Sequence, residues 1–380
     1  MPSKPDVFLS CAEASGDMHA AGLAKALREG RNDLTIEAVG GPRLEAAGVP
    51  LVKDTVRKAR FGVTSFLRAG EVWSMLRTLR RRWQASPPGL VVACDSWTMN
   101  KHVLALAREV GSETMYYVSP QVWASRPGRV EKLRQLATRV ACILPFEEAW
   151  LRERGVDATY VGHPLFDDQP AVASRETSPS VDGPVRLALN FGSRLNTVKA
   201  NLPGLVAAAD QLRQSHDIAA VTTPTVAATH DLVTSLIPNW IEARRDAFDD
   251  VLSEADLCLT TSGTATLHTA AHGVPMVIVY RGSQLLWEII GKRIVQTRTF
   301  GLVNLLHPSF ADGTRVVDEH IPWSGDPAPI VASAERLMDD RDAFETVRRR
   351  LAEVVDPLRD GHAGQKAAAI ALELLNRELA

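Results

Sequence analysis

The stretch Tyr116-Tyr-Val-Ser-Pro-Gln-Val-Trp-Ala-Ser-Arg-Pro-Gly-Arg129 joins an apolar strand to a rigid loop. Its first residues continue the run Met115–Val118, which predicts a buried parallel strand. Two prolines stiffen the loop that follows, Trp123 offers an apolar platform, and Arg126 and Arg129 add positive charge. This mixture suits a phosphorylated, partly apolar ligand better than it suits a bland connection.

Short apolar runs alternate with amphipathic segments, such as His19–Arg28 and His102–Val110, along most of the chain. The runs predict buried parallel strands, and the alternation predicts a doubly wound α/β architecture. The predicted strands are Val7–Cys11, Ile36–Val39, Leu90–Cys94, Met115–Val118, Val140–Leu144 and Thr159–Val161, then Leu187–Asn190, Ala219–Thr222, Leu257–Thr260 and Met276–Val279.

The alternation breaks at Asp167–Pro184, a stretch rich in Pro, Ser, Asp and Ala that predicts a linker between two domains. The chain ends in a helical pattern from about Ala332 onward. Ligands of doubly wound folds bind beyond the carboxyl ends of the strands. We therefore expect the two domains to form a cleft there, lined by the loops that follow the strands.

Composition limits the class of protein. The chain has 380 residues, of which 45% are hydrophobic and 23% charged, and its formal net charge of −2 lacks the basic excess of nucleic-acid-binding proteins. No signal-peptide pattern opens the chain and no apolar run could cross a bilayer, so we expect a cytoplasmic protein or one at a membrane surface. The cysteines, predicted to be buried free thiols, are Cys11, Cys94, Cys142 and Cys258.

One region, Lys53–Arg82, is strongly basic, with nine Lys and Arg against two acids and with apolar residues interleaved. Such a segment suits the headgroup layer of an anionic membrane. A solvated helix face packed on its own domain is the equal alternative. A second patch, Leu285–Phe300, allows the same two interpretations.

Residues that could bind a ligand or take part in catalysis follow the predicted strands of the first domain. In Ala12-Glu-Ala-Ser-Gly-Asp17, Gly16 permits a close approach, and Ser15 or Asp17 could cap the next helix, so a simple turn is an alternative to a ligand site. Asp95 ends the strand Leu90–Cys94, where partial burial would suit it to general-base catalysis. A role as the N-cap of the following helix is the equal alternative.

Two loops of the second domain suit a diphosphate. Gly192-Ser-Arg194 offers main-chain N–H groups and a guanidinium, and Thr261-Ser-Gly-Thr-Ala-Thr-Leu267 offers N–H groups and hydroxyls. Neither loop matches a P-loop or a GxGxxG fingerprint, which disfavours nucleotide hydrolysis and dinucleotide binding. Together the loops predict a nucleotide-diphosphate site. The ten histidines show no metal-ligand spacing.

In this order the motifs resemble those of the lipid-A-disaccharide synthase family. The resemblance implies a GT-B fold, in which two doubly wound Rossmann-like domains face each other across a cleft. Its most specific parts are the loops that begin at Ser119 and Ser262. The matching segments are Ala12–Asp17, Gly40–Gly48, Tyr116–Arg129, Leu144–Glu147, Gly162–Pro164, Gly192–Arg194, Ser262–Leu267, Tyr280-Arg281 and Asn304–Leu306.

The resemblance implies an inverting transfer from UDP-2,3-diacylglucosamine to 2,3-diacylglucosamine 1-phosphate, which gives a β-1,6-linked disaccharide 1-phosphate and UDP. Asp95 is the implied base on the acceptor's 6-hydroxyl, and Arg194 is implied to stabilise the departing diphosphate. The residues implied to bind the nucleotide sugar are Gly192, Ser193, Arg194, Ser262, Gly263, Thr264, Ala265, His268, Tyr280, Arg281, Asn304 and Glu319. Those implied to bind the acceptor are Glu13, Ser15, Gly16, Asp17, Asn100, Ser119, Gln121, Trp123 and Arg126.

The same resemblance assigns acceptor binding to residues 1–170, nucleotide-sugar binding to residues 185–350, and to residues 351–380 a C-terminal helix that crosses back to the first domain. It implies no metal and no cofactor, since the UDP-sugar is a substrate and helix dipoles with an arginine can hold the diphosphate. The expected partners are the two acylated sugars and an anionic membrane surface, without nucleic acid, and a homodimer is left open. The expected location is the cytoplasm, peripherally at the inner membrane.

Several residues depart from the family pattern, and they cluster on the expected ligand side. They are Ala12, Ser65, Thr98, Ser125, Asn190, Phe191, Thr197 and His268. The last replaces a glutamate expected to grip ribose hydroxyls, which an imidazole can still hydrogen-bond. The departures leave two other hypotheses open. One is a diverged paralogue with another nucleotide sugar or acceptor, and the other is a binding module without turnover, against which the retention of Asp95 and Arg194 argues.

Overall fold

The computed structural model describes residues 4–56, 65–123, 128–167, 184–281, 299–359 and 361–379. The chain forms two compact units, one of Met1–Asp168 with Asp360–Ala380 and the other of Gln169–Arg359. Each unit is built around one parallel sheet with helices packed on it. The predicted pair of doubly wound α/β domains is therefore confirmed.

The first unit contains a seven-stranded sheet. Its strands are β1 (Val7–Ser10), β2 (Ile36–Gly40), β3 (Leu51–Asp54), β4 (Leu90–Cys94), β5 (Glu113–Tyr117), β6 (Arg139–Cys142) and β7 (Ala158–Tyr160). They lie in the order β3-β2-β1-β4-β5-β6-β7, and every pairing is parallel. The order reverses between β1 and β4, where Ser10 pairs with Ala93. The carboxyl ends of these two strands therefore form the switch point at which such sheets bind ligands.

Helices cover both faces of this sheet. They are α1 (Ala14–Gly30), α2 (Pro42–Ala46), α3 (Ser65–Ala85), α4 (Trp97–Glu109), α5 (Arg129–Leu136) and α6 (Pro145–Arg152). Successive side chains of a strand point to opposite faces, so Leu9 and Tyr117 pack with α1 while Phe8 and Tyr116 pack with α3 and α4.

The second unit contains a six-stranded parallel sheet. Its strands are β8 (Val185–Asn190), β9 (Ile218–Thr225), β10 (Ile241–Arg245), β11 (Leu257–Thr261), β12 (Met276–Arg281) and β13 (Glu319–Trp323). They lie in the order β10-β9-β8-β11-β12-β13. The order reverses between β8 and β11, where Asn190 pairs with Thr260, so this sheet has its own switch point.

The helices of the second unit are α7 (Leu195–Ser215), α8 (His230–Leu236), α9 (Phe248–Glu254), α10 (Ala265–Ala271), α11 (Leu302–Leu306), α12 (Ala328–Asp339) and α13 (Arg341–Val355). The last helix of the chain, α14 (Ala363–Leu379), belongs to the first unit instead. Its apolar face, which includes Ala371 and Leu374, shares a core with Leu23 of α1. The boundary lies at Asp360 and not at residue 351, because α13 is continuous and places Phe344 in the second core.

Three of the described strands, β3, β10 and β13, were not among the strands predicted from apolar runs. All three lie at sheet edges, where coverage is incomplete and polar or proline residues are tolerated. The residues of β10 read Ile241-Glu-Ala-Arg-Arg245, without an apolar run.

The four cysteines are buried and free, as predicted. Burial raises the pKa of the Cys258 thiol to about 12. In the described part of the chain, no helix combines the length and the apolar character needed to span a membrane.

Candidate active site

Asp95 and Ser15 meet at the switch point of the first sheet. Asp95 directly follows β4, and Ser15 lies in the first turn of α1, which follows β1. The Ser15 hydroxyl donates a hydrogen bond to Asp95 Oδ2 at 2.8 Å, and the N–H of Ser96 donates to Oδ1 at 2.7 Å. The Asp95 carboxylate is thus oriented from both sides, and each of its oxygens has a further lone pair available.

The main chain at this edge of the sheet is strained. Asp95 and Ser96 have φ values of 55° and 45°, and Val118 after β5 has a φ of 61°. Left-handed backbone is uncommon outside glycine, and for a β-branched valine it is an outlier. Such strain persists only where the surrounding structure enforces it, and it concentrates at functional sites.

The N-cap of α4 is Ser96, which rules out Asp95 as the cap of that helix. Gly16 is required here for a contact within the chain. A Cβ at Gly16 would lie 3.0 Å from the carbonyl oxygen of Cys94 and 3.4 Å from Asp95 Cβ. The absence of a side chain at Gly16 therefore lets α1 come close enough for Ser15 to reach Asp95.

Asp17 does not cap its own helix, whose N-cap is Glu13. It is 1% exposed, and its carboxylate accepts hydrogen bonds from the N–H groups of Gly41 and Arg43 at 2.8 and 2.9 Å. Asp17 thereby holds the start of α2, which carries the Gly40–Gly48 motif. The geometry supports a role within the chain and not the direct acceptor contact that the family resemblance implied.

The side chain of Asn100 also forms its hydrogen bonds within the protein. It is fully buried, and its Oδ1 accepts a hydrogen bond from Ser10 Oγ at 2.7 Å. Its Nδ2 donates to the carbonyl oxygens of Cys94 and Asp95 at 3.0 and 2.7 Å. Asn100 therefore lies beneath Asp95 and supports it, where the resemblance implied contact with the acceptor.

The loop that begins at Ser119 is held by Glu147 of α6. Ser119 Oγ and Trp123 Nε1 both donate to Glu147 Oε1, at 2.8 and 2.9 Å. The other carboxylate oxygen, Oε2, accepts the N–H groups of Ile143 and Leu144 at 3.3 and 3.2 Å. Burial raises the pKa of the Glu147 carboxyl above its usual range.

Glu147 was not among the predicted site residues. The available signal was an acid in the matching motif Leu144-Pro-Phe-Glu147, next to an apolar strand. Of the other predicted residues in the Ser119 loop, Gln121 is exposed. Ser125 and Arg126 lie outside the described residues.

The switch point of the second sheet brings together the two predicted diphosphate loops. Asn190 Nδ2 donates to Thr260 Oγ1 at 2.9 Å, and the N–H of Gly192 donates to Asn190 Oδ1 at 3.1 Å. Gly192 has a φ of +97°, and a Cβ there would lie 2.7 Å from Thr197 Cγ2. Two of the departures from the family pattern, Asn190 and Thr197, thus pack around the glycine that opens the first loop.

Both loops lead into helix starts. Arg194 is the N-cap of α7 and Thr264 is the N-cap of α10, and neither cap side chain bonds the first turn of its helix. Ser193, Gly263 and Arg194 are exposed, and Ala265 begins α10. Main-chain N–H groups at helix starts, with a guanidinium beside them, form an arrangement suited to a phosphate group. Ser262 is partly engaged elsewhere, since its hydroxyl donates to the Phe300 carbonyl oxygen at 3.1 Å.

His268 lies against α9. Its ring makes an edge contact with Phe248, at 5.3 Å between centroids, and its Nδ1 is 3.6 Å from Asp249 Oδ1. His272 Nε2 is 3.1 Å from the same carboxylate oxygen. His268 and His272 hold the pKa of Asp249 well below its usual range. The imidazole of His268 therefore packs within the unit, against Phe248 and near Asp249.

Tyr280 and Arg281 end β12, and both are exposed. The N–H of Arg281 donates to Asn201 Oδ1 at 3.0 Å, and its guanidinium donates to the Ala200 carbonyl oxygen at 3.2 Å. Arg281 is thus tied to α7, the helix that starts at the first diphosphate loop. The second basic patch cannot be placed in the same way, because residues 282–298 lie outside the described part of the chain.

Asn304 and Glu319 are buried and bonded to each other. Glu319 Oε2 accepts Asn304 Nδ2 at 3.1 Å and the N–H of Gly301 at 3.0 Å, and Oε1 accepts the N–H of Phe300. Asn304 Oδ1 accepts the N–H groups of Val316 and Val317. These side chains build the segment after β12, where the resemblance implied direct contact with the nucleotide sugar.

The basic segment Lys53–Arg82 is divided in the structure. Lys53 lies in β3, residues 57–64 are outside the description, and α3 buries Met75 and Trp83 in the domain core. Arg82 also forms a 2.7 Å ion pair with Glu37. The described part of the segment is therefore a helix packed on its own domain, with one exposed face.

Comparison with known proteins identifies the family. A family model described as lipid-A-disaccharide synthetase matches residues 7–367. A lipid-A-disaccharide synthase of Geobacter metallireducens is 33% identical over 381 residues, which cover 98% of each chain. A lipid-A-disaccharide synthase of Myxococcus xanthus is 35% identical, with 99% of each chain covered.

Solved structures share the fold. A putative UDP-N-acetylglucosamine 2-epimerase from Listeria monocytogenes superposes with a TM-score of 0.65 at 15% identity, covering 98% of this chain and 96% of that one. A spinosyn rhamnosyltransferase complexed with thymidine diphosphate gives a TM-score of 0.57 at 16% identity, covering 97% and 99%. These similarities support the predicted GT-B architecture. Because the family match spans nearly the whole chain, this protein belongs to the lipid-A-disaccharide synthase family of glycosyltransferases.

Proposed function

We propose that this chain joins UDP-2,3-diacylglucosamine to 2,3-diacylglucosamine 1-phosphate and releases UDP and the β-1,6-linked disaccharide 1-phosphate. The observation that carries the proposal is the Asp95 carboxylate, held by Ser15 and Ser96 at the switch point of the first sheet. A carboxylate fixed at a ligand-binding edge is suited to take a proton from a bound hydroxyl. Membership of the lipid-A-disaccharide synthase family supports the choice of these two sugars.

In the proposed reaction, Asp95 takes the proton of the acceptor's 6-hydroxyl while that oxygen attacks the anomeric carbon of the donor sugar. The new carbon–oxygen bond forms as the bond to the diphosphate breaks, and the electron pair of the broken bond leaves with UDP. Attack opposite the leaving group inverts the anomeric configuration. The Ser15 hydroxyl orients the carboxylate by its bond to Oδ2.

The second unit is proposed to hold the nucleotide diphosphate. The starts of α7 and α10 follow β8 and β11, which are neighbours at the switch point. We therefore expect their main-chain N–H groups to lie near one another. Their partial positive charge, together with Arg194, would stabilise the charge that develops on the leaving diphosphate. We propose that these groups do this without a metal or cofactor. Among the described residues, no three His, Cys, Asp or Glu side chains are grouped to hold a metal ion.

The test is disaccharide synthesis from the two acylated sugars by the purified protein. Asp95→Asn keeps the size of the side chain and tolerates the left-handed backbone, so it should fold normally and lose about 100-fold or more in kcat. Asp33→Asn, an exposed change in the same unit, should leave kcat unchanged. The proposal fails if the wild-type protein makes no disaccharide or if Asp95→Asn retains full activity.

We further propose that α3 brings the first unit to an anionic membrane surface that holds the acylated substrates. Trp73 on this helix is 60% exposed, and the Arg77 guanidinium stacks on its ring at 3.8 Å. An exposed aromatic ring beside an arginine suits the boundary between headgroups and acyl chains. We propose peripheral binding at the cytoplasmic face of the inner membrane as the location of the protein.

Sedimentation with lipid vesicles tests this surface. Wild-type protein should bind vesicles that contain anionic phosphatidylglycerol and bind purely zwitterionic vesicles less. Trp73→Ala should weaken binding to the anionic vesicles several-fold, whereas Ser74→Ala, an exposed neighbour on α3, should not. If Trp73→Ala binds the anionic vesicles as well as Ser74→Ala and the wild type do, α3 is not part of the membrane-binding surface.

A further inference from the structure

Two buried side chains converge on the main-chain carbonyl of Asp95. The Tyr116 hydroxyl donates to that oxygen at 2.5 Å, and Asn100 Nδ2 donates to it at 2.7 Å. Both side chains are fully buried. Asn100 is itself oriented by Ser10, whose hydroxyl donates to Asn100 Oδ1 at 2.7 Å. The Asp95 carbonyl is therefore fixed by donors from β5 and α4, and Ser10 of β1 supports one of them.

The peptide that they hold is the strained one. Asp95 and Ser96 are consecutive left-handed residues, and the N–H of Asp95 donates to the Tyr117 carbonyl oxygen at 3.1 Å. One hydrogen bond is enough to satisfy a buried carbonyl group. Two side-chain donors from separate elements restrain both the position and the direction of the carbonyl. Strained backbone needs such over-determination to persist.

The conformation of this peptide sets the direction of the Asp95 carboxylate. With Asp95 in the left-handed region, its Oδ1 receives the N–H of Ser96 and its Oδ2 receives the Ser15 hydroxyl. If the main chain relaxed to a right-handed conformation, Cβ would move and these two bonds could not both be kept. The donors on the carbonyl therefore control the geometry of the carboxylate from the buried side.

We propose that Tyr116, together with Asn100, is a positioning residue that holds Asp95 in the left-handed conformation required for its carboxylate to act as the base. This inference rests on the proposed function, in which Asp95 accepts the acceptor's proton. Burial raises the pKa of Tyr116 well above its usual range, so its hydroxyl stays protonated and keeps donating at any working pH.

The test removes a single hydroxyl. Tyr116→Phe leaves the ring packed beside Trp97 and deletes the hydroxyl, which bonds to the Asp95 carbonyl and also interacts with Asn100. We expect kcat to fall by about 10–100-fold, as a misplaced catalytic group does. KM for both sugars should stay within about twofold, because the variant displaces the base and leaves the ligand-contacting groups in place.

Tyr117→Phe is the matched control, because Tyr117 is the next residue of β5 and packs on the opposite face of the sheet. It should keep the wild-type kcat. A wild-type kcat for Tyr116→Phe, or an effect confined to KM, would overturn the proposal. An equal loss of kcat in both variants would also overturn it, by indicating general loosening of the strand.

Crystal structures of the wild type and of Tyr116→Phe separate this inference from the proposed function. The variant should show Asp95 moved out of the left-handed region or its carboxylate turned away from Ser15, and an unmoved Asp95 would refute the positioning role. This structural readout needs no turnover. If the wild-type protein makes no disaccharide, the proposed function fails, while the position of Asp95 in the variant still decides whether Tyr116 holds it.

Discussion

Single residues carry the strain of the first switch point. A left-handed conformation costs a residue other than glycine about 1–2 kcal/mol, and Asp95 and Ser96 adopt it consecutively. Aspartate bears the cost more readily, because its short polar side chain can bond locally, as Asp95 does with the N–H of Ser96. Ser96 gains less, since its buried hydroxyl has no hydrogen-bond partner within the described residues. Of these two consecutive residues, Ser96 therefore bears the larger uncompensated cost.

Replacing Ser96 by glycine should therefore stabilise the protein. Ser96→Gly removes the steric penalty and the unpaired hydroxyl, which outweighs the added freedom of the unfolded chain, for a net gain of about 1 kcal/mol. Thermal unfolding should show a rise in Tm of roughly 2–4 °C. Ser96→Ala removes the hydroxyl but keeps the strain, so it should gain less. A lower Tm for the glycine variant than for the alanine variant would contradict this account.

At the scale of elements, the loop after β5 is held by the start of α6. Glu147 joins them, because one of its oxygens accepts from Ser119 and Trp123 and the other accepts from the N–H groups of Ile143 and Leu144. Because four donors point at this one buried carboxylate, a side chain that itself donates a hydrogen bond cannot replace it without leaving a donor unpaired. The geometry of the Ser119 loop therefore depends on a residue of the next helix.

Glu147→Gln should release this loop. The amide supplies one acceptor oxygen, so its NH2 group must face two of the four donors, and a buried donor left unpaired costs about 1–3 kcal/mol. Tm should fall by several degrees, and proteolysis or hydrogen exchange should detect greater opening of residues 119–123. Glu148→Gln on the same helix, a partly exposed change, should leave exchange of this loop as in the wild type. If hydrogen exchange at residues 119–123 is the same in Glu147→Gln as in the wild type, Glu147 does not hold this loop.

The contact between α9 and α10 should depend on pH. His268 and His272 lower the pKa of Asp249 in the folded state, so its carboxylate stabilises the fold above the unfolded pKa of about 4. That contribution is lost as the pH falls through the lower, folded pKa. Because the Asp249 side chain is 56% exposed, the effect is limited to about 0.5–1 kcal/mol, or roughly 1–3 °C in Tm.

Comparison of Asp249→Asn with the wild type measures this contribution. The difference in Tm should be present from about pH 5 to pH 6 and should shrink toward zero in strong acid. Asp250→Asn, at the exposed neighbouring position of α9, should show no such difference. A Tm difference that grows as the pH falls would have the wrong sign for a lowered carboxyl pKa.

At the scale of the whole molecule, each unit has its own core, and the last helix contributes to the first one. Ala371 of α14 is fully buried, whereas Ala369 on the same helix is exposed. The core of the second unit is formed by residues between Leu187 and Phe344. Damage to α14 should therefore act on the unit that is distant from it in sequence, and should spare the unit that directly precedes it.

Ala371→Asp tests this. An unpaired carboxylate in an apolar core destabilises by several kcal/mol, so hydrogen exchange should rise in β1, β4 and α1 while β8 and β11 keep their protection. Ala369→Asp adds the same charge at an exposed position of the helix and should leave both units protected. Loss of protection in β8 and β11 at the level seen in β1 would show that the two cores unfold together.

Sequence patterns alone were sufficient to predict the two parallel sheets, the loops at their carboxyl ends and the family. Buried parallel strands read as apolar runs, and glycine, proline and small polar residues must follow them where the chain turns toward a ligand. Asp95 and Gly192 were identified from such positions. The edge strands β3, β10 and β13 were not predicted, because helices cover them incompletely and their sequences, such as that of β10, therefore lack an apolar run.

Sequence patterns did not distinguish the polar side chains that face the binding edge from those that bond to the protein itself, because that distinction depends on contacts in the folded chain. Asp17, Asn100, Asn304 and Glu319 all follow or adjoin strands, as ligand-binding residues do, yet each is buried and bonded to the protein. The residue type limits what a side chain can donate or accept, but the partner is chosen by contacts between segments distant in sequence. The family resemblance already implied that the last helix returns to the first domain, as α14 does. The hold of Tyr116 on Asp95, in contrast, became visible only in the folded chain.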